Sequence, residues 1–241
     1  LNIKDNTQWK FKDKRQIFID TYSKENYCEI NSRPFSTKWI YFHPSLVFNT
    51  RPTINKHIHK KDNLCLLTTR RIRTGEFNHA LISNNIVMGE ILSSADNANV
   101  YPIYLFSKKS KIFVEQNEPS SNFNKSFINN LEDSYKLKFL IKSDSNNSNV
   151  LSSNNIIYYV YSILYSRTYR KQYNEILIEE FPRIPFTKNL DLFFKMVQFG
   201  LELTQFHLLT STKLSNYITT FPKLGDNTIE KVEYDQGSVL L

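Results

Sequence analysis

The chain has 241 residues, 40% of them apolar and 14% aromatic, and a formal net charge of +8 at neutral pH, which supplies core material for one large domain or two lobes. No run of eighteen apolar residues is free of charge and no basic-then-apolar leader opens the sequence, so membrane and secretory readings are disfavoured and a cytoplasmic protein is expected. Two isolated cysteines, Cys28 and Cys65, are too few for a disulfide framework or a zinc site.

The charge is uneven. Residues 1–80 hold 15 Lys and Arg against 7 Asp and Glu, while residues 81–150 and 151–241 each balance to zero. A cationic field confined to one third of the chain fits a polyanionic partner, because phosphate contacts release counterions and supply most non-specific affinity. A solvated basic face is the plain alternative.

Taken in order, Trp9-Lys10-Phe11-Lys12 and Arg15-Gln16-Ile17-Phe18-Ile19 alternate and predict short strands. Residues 33–44, RPFSTKWIYFHP, place aromatic and β-branched residues between prolines and predict a strand entered and left by rigid turns. Residues 54–61 (INKHIHKK) suit one helical turn or a loop, with His57 and His59 at the surface. Asn63–Thr69 reads as a buried strand that ends in the basic cluster Arg70, Arg71 and Arg73. Further strands are expected around 79–82, 86–88 and 101–106, then a polar stretch with one short helix at 125–140.

From Ile156 to Leu209 two long apolar-periodic runs flank Phe181-Pro182-Arg183-Ile184-Pro185. They predict a helical hairpin, whose second helix, apolar all round, should be buried. The tail after residue 210 has no firm period and is expected to pack on the hairpin or to continue further. The expected fold is therefore α+β: a basic, mainly β lobe over 1–110, a polar connector over 111–150, and a helical support lobe with the tail over 151–241.

Catalytic patterns are missing. The five glycines are dispersed, no Pro follows Asn, Asp or Pro, and no Glu-x-Lys, Gly-x-Ser-x-Gly or zincin spacing occurs. Phosphate-cradling loops need clustered glycines so that backbone amides can approach the ligand. The chain alone is expected to be non-catalytic and to hold no cofactor.

Five blocks, RPFSTKWIYFHPSLVFNTRPTINKHI (33–58), NLCLLTTR (63–70), FNHALISNNIVMGEILS (77–93), YPIYLF (101–106) and NNIIYYVYSILYSRTYRKQYNEILIEEFPRIPF (154–186), stand in an order that resembles the C-terminal specificity domain of type ISP restriction-modification enzymes. Ser36 and Lys38 stand where the family pattern has Asp and Arg, and Ser166-Arg167 where it has Ser-Pro. The resemblance implies double-stranded DNA and an upstream N6-adenine methyltransferase domain as partners. S-adenosylmethionine, with ATP and Mg²⁺, would belong to the rest of such a polypeptide. It also implies that Tyr169, Arg170, Phe181, Pro182 and Arg183 fix the hairpin.

A specificity domain must grip phosphates and present side chains to base edges. Base reading is expected from Arg70, Arg71, Arg73, Ser83, Asn84 and Asn85, because Arg matches guanine and Asn adenine bidentately. Phosphate contacts are expected from Lys10, Lys12, Lys14, Arg15, Lys56, Lys60 and Lys61, with Arg33 and Arg51 either touching DNA or bracing the lobe. Residues 107–126 are a second candidate reader. Two rival readings stay open: a protein-docking lobe, and a single-strand or RNA binder that stacks bases on Trp39, Tyr41 and Phe42, although those aromatics alternate with aliphatics as core residues do.

Overall fold

A computed structural model describes residues 5, 9–106, 119–143, 147–216, 233–235 and 238–240. The first element is a helix, α1 (Phe11–Asp20), where strands were expected. The alternation was only four or five residues long, whereas Phe11, Lys14, Phe18 and Tyr22 recur at helical spacing. Phe18 packs edge-on against Tyr22 and Tyr41, with ring centroids 5.5 and 4.9 Å away. The Asp5 carboxylate accepts a hydrogen bond from the Phe11 amide at 2.7 Å, at the N-terminus where unpaired amides favour an anion.

Among the described residues the β part has two three-stranded sheets and one two-stranded pair. In the first, β1 (Tyr27–Arg33) and β2 (Ser36–Tyr41) form an antiparallel hairpin with Glu29 opposite Trp39; β1 was not foreseen. A one-turn helix, α2 (Pro52–Asn55), follows Arg51, whose backbone is left-handed at φ 43°. The second sheet has the order β4-β3-β6, with β3 (Cys65–Thr68) central between β4 (Ala80–Ser83) and β6 (Asn99–Pro102). Between β4 and β6 the chain makes β5 (Ile86–Val87), which joins the first sheet parallel to β1 in the order β2-β1-β5. The strand β7 (Tyr104–Leu105) pairs with β8 (Ser120–Ser121).

The helix α3 (Lys125–Tyr135) starts at Asn124, whose side chain accepts from the Ser126 amide. A two-residue parallel pair, β9 (Phe139–Leu140) with β10 (Leu151–Ser152), leads into α4 (Ser153–Tyr165). The first arm of the expected hairpin is not one helix: it breaks into α4, α5 (Arg167–Gln172) and α6 (Asn174–Glu179). Ser166 causes the first break, since its extended backbone ends α4 while its hydroxyl accepts from the Tyr169 amide and starts α5.

Residues 180–189 then run irregularly to α7 (Leu190–His207). Their carbonyls still need donors, and three tyrosines supply them: Tyr169 to Arg183 O at 2.9 Å, Tyr159 to Pro185 O at 2.8 Å and Tyr135 to Thr187 O at 2.6 Å. The fixing role expected of Tyr169 is thus met. The helix α7 buries one stripe, Phe193, Val197, Gly200 and Thr204, and is not covered all round. Leu192 is 47% and Phe199 60% exposed on its other side.

Strands and helices share one core. Ile82, Ile103 and Tyr104 pack in the same cluster as Ile156, Tyr159, Phe193 and Val197. A second cluster, under the first sheet, joins Ile58, Leu67, Ile86 and Val100 to Cys28, Ile30 and Ile40. The compact unit so built is Leu1–Ser211. A small second unit, Thr212–Leu241, holds a 3-10 turn (Thr212–Ser215) and an antiparallel pair, β11 (Glu233–Asp235) with β12 (Ser238–Leu240).

Candidate nucleic-acid interface

Side chains alternate across a strand, so the inward packing of Cys28, Ile30 and Ile40 fixes the opposite face of the first sheet. That face carries Tyr27, Glu29 and Asn31 from β1 and Thr37, Trp39 and Tyr41 from β2. Trp39 is 71% and Tyr27 43% exposed. Trp39 was expected in the core; the structure puts this large aromatic on the solvent side instead. Tyr41 is half-buried and bonded to Thr21 O, and Phe42 packs against His59.

A depression of about 390 Å³ is lined by Tyr27, Glu29 and Trp39 of this face and by Lys60, Lys61, Asn84 and Asn85, and it reaches the inward-packing Cys28, Ile58 and Ile86. Two local devices position its polar residues. Behind Lys60 and Lys61, buried His57 accepts from the Phe106 amide at 2.9 Å, and buried Asn63 donates to His57 O and Tyr104 O. Burial holds the His57 and His59 pKa values below the ordinary imidazole range, helped by neighbouring Lys56 and Lys60, so the neutral acceptor form of His57 fits its bond. These are not the surface histidines expected from sequence, and among the described residues no His, Cys, Asp and Glu group could hold a metal ion.

The second device is the β4–β5 turn. Ser83 is 0% exposed. Its hydroxyl accepts from Asn31 Nδ2 at 2.9 Å and from the Asn85 amide at 3.1 Å, and donates to Asn85 O at 3.0 Å. Ser83 therefore cannot reach a base, contrary to expectation; it shapes the turn that displays Asn84 and Asn85. Asn84 is exposed, and Asn85 Nδ2 donates to Glu29 Oε2 at 3.2 Å.

The arginine cluster lies elsewhere. In the β3–β4 ladder Cys65 faces Ser83 and Thr68 faces Ala80, so Asn84 follows one end and Arg70 the other, with about 10 Å of ladder between those ends. The expected base-reading set is thus divided, because antiparallel pairing sends the end of β3 away from the end of β4. Ile72 is buried and its amide donates to Ile178 O, while Arg71 pairs with Glu179 and Arg73 with Asp96, each at 3.7 Å. Arg70 is exposed.

The expected phosphate residues also sort into groups. Lys60 and Lys61 line the depression; Lys60 donates to Glu25 O, and Lys61 lies 5.2 Å from the Phe106 ring centroid. Lys10, Lys12, Arg15 and Lys56 are exposed, and Lys14 donates to Ser45 O at 2.7 Å. Arg33 and Arg51 brace loops by donating to Glu90 O and Ala98 O. A Cβ on Gly89 would approach Arg51 Nη2 to 2.9 Å, so glycine makes room for that brace. Of the second candidate reader, residues 107–118 lie outside the described residues.

Sequence reasoning missed Tyr27 and Glu29, and it named Trp39 only as a stacking platform in a rival reading. The available signal was the polar alternation Tyr27-x-Glu29-x-Asn31 against Cys28-x-Ile30. No helix among the described residues is long and apolar enough to cross a membrane.

No curated protein sequence matches the chain. Among the solved structures that share its fold are a DrdV–DNA complex (20% identity, 78% of this chain, TM-score 0.59), a nuclease-deletion mutant of the Type ISP restriction-modification enzyme LlaGI with a DNA substrate mimic (23%, 78%, 0.51), and the ATP-dependent Type ISP restriction-modification enzyme LlaBIII bound to DNA (22%, 83%, 0.60). The chain covers only 16%, 14% and 12% of those proteins respectively. The family model of the Type ISP C-terminal specificity domain matches residues 1–241, and the chain belongs to that family.

Proposed function

We propose that this domain recognises a target sequence in double-stranded DNA for a larger restriction-modification methyltransferase, and that the outward face of the β2-β1-β5 sheet is its DNA-facing surface. The observation that carries this reading is the meeting, in one depression, of Lys60 and Lys61 with Asn84, Asn85 and the exposed Trp39. Lysines neutralise phosphates and fix register, while an exposed amide side chain such as Asn84 reads a base edge. The +8 charge excess of residues 1–80 supplies the attracting field. Lys10, Lys12, Arg15 and Lys56 add exposed cations to the same third of the chain.

The chemistry of the parent enzyme falls to other parts of it. The five glycines of this chain are dispersed, so it offers no loop of the kind that cradles S-adenosylmethionine or ATP, and no step of methyl transfer is assigned to its residues. An upstream methyltransferase domain is the second partner in this reading, and the exposed Leu192 and Phe199 on α7 favour a docking side there. A cytoplasmic location, where such an enzyme meets DNA, is part of the same proposal.

The test is duplex binding by the intact chain as a function of salt. Affinity that falls steeply between about 50 and 200 mM salt supports phosphate contacts, as each neutralised phosphate adds about 0.9 to the log–log slope. Absence of binding at low salt overturns the proposal in favour of a docking lobe.

A further inference from the structure

Glu29 is out of place on a surface built for a polyanion. It lies on the outward face of the first sheet, directly across from Trp39, and lines the depression with Lys60 and Lys61. Among the described residues no cationic side chain lies within ion-pair distance of it. The other carboxylate of the depression, Asp62, pairs with Lys142 at 3.1 Å. Glu29 is instead tied to a neutral group, Asn85 Nδ2, at 3.2 Å.

An ionised carboxylate only accepts hydrogen bonds. Phosphates offer it none and repel it. In the major groove the only donors are the exocyclic amino groups of cytosine and adenine. Adenine sets the acceptor N7 beside its amino group, which repels a carboxylate, whereas cytosine shows the amino group alone. Resting on the DNA-recognition reading above, we propose that Glu29 is a specificity-determining residue that accepts a hydrogen bond from the N4 amino group of one cytosine. Asn85 is its positioning residue, since its amide holds one carboxylate oxygen and leaves the other to be aimed at the groove.

The test is selection from a randomised duplex library by the intact chain, followed by sequencing, for wild type, Glu29→Ala and Glu29→Gln. Wild type should enrich a site with a fixed cytosine. Glu29→Ala should lower the preference for cytosine at that single position by roughly 10-fold to 100-fold, leaving the other positions unchanged. Its binding to an unrelated duplex should hold or rise, because a repelling charge is gone. Glu29→Gln keeps size and the strand surface; able to donate as well as accept, it should move the preference at that position toward adenine. An enriched site that Glu29→Ala leaves intact overturns the assignment, as does a loss spread evenly over all positions. Flattening at an adenine position overturns the choice of cytosine. If wild type enriches no sequence, the DNA-recognition reading itself fails and this inference with it.

Discussion

Gly200 of α7 packs directly on the backbone of Tyr158 in α4: a Cβ built on Gly200 would lie 1.8 Å from the Tyr158 carbonyl oxygen. Backbone cannot yield as a flexible side chain can, so the two helices meet at a distance only glycine permits. Gly200→Ala must push α7 off α4 and loosen Phe193 and Val197 in the shared core. The expected loss is about 3 kcal/mol, at the upper end of overpacking effects and outweighing alanine's better helix propensity. Urea unfolding of the variant measures it, and an unchanged midpoint would show that the helices can separate without cost.

Lys60 and Lys61 line the depression, whereas Arg71 sits beyond the far end of β3 and pairs with Glu179. If the depression faces DNA, Lys60→Ala and Lys61→Ala should each reduce the salt slope of duplex binding by about 1 and weaken all sequences alike. Arg71→Ala is expected to change that slope less than either lysine. The reverse order would move the DNA-facing surface to the arginine end of the sheet.

Much of the fold was legible because its signals are local. The run Asn63–Thr69 reads as a buried strand, which the structure places at Cys65–Thr68, and the apolar period of residues 190–208 reads as a helix, placed at Leu190–His207. The phase of Trp39 was not legible: with Ile40 beside it, alternation names two faces but not which is inward, and that choice is made by Ile58, Leu67 and Ile86 from elsewhere in the chain. Likewise Lys60 meets Asn84 only because β5 pairs with β1 across more than fifty residues. The helix α1 was misread since four alternating residues fit either period, and Ser166 was read through because a cap looks like any other polar residue inside a long apolar run.

Ser83 and Asn84 are neighbours with opposite expected roles. Ser83→Ala removes the acceptor of the half-buried donors Asn31 Nδ2 and the Asn85 amide, at a cost of about 1 kcal/mol for the lost hydrogen bonds. Its stability should fall while the DNA sequence preferred by the remaining folded protein stays the same. Asn84→Ala, at the exposed tip of the turn, should leave the unfolding midpoint within about 0.5 kcal/mol of wild type and relax preference at one base pair. Parallel unfolding and selection experiments separate the two, and relaxed preference in Ser83→Ala alone would reverse the assignment.

Acid should destabilise the domain through its histidines. Burial lowers the pKa values of His57, His59, His79 and His207 from the ordinary 6.5; at His79 the nearby Asp96 opposes the shift, and at His207 Arg170 adds to it. With folded values below unfolded ones, both states are neutral well above 6.5 and the histidines add no pH dependence there. As pH falls through 6.5 the unfolded chain takes up protons that the folded chain refuses, so stability declines until the folded pKa values are reached. His57 contributes most visibly, because protonation of Nδ1 would abolish its bond from the Phe106 amide. Urea midpoints at about pH 7.5 and about pH 5.5, on either side of the unperturbed imidazole value, should drop for wild type. His57→Gln should start lower at neutral pH and drop less. A wild-type midpoint that holds or rises on acidification would mean that these histidines gain, rather than lose, partners when charged.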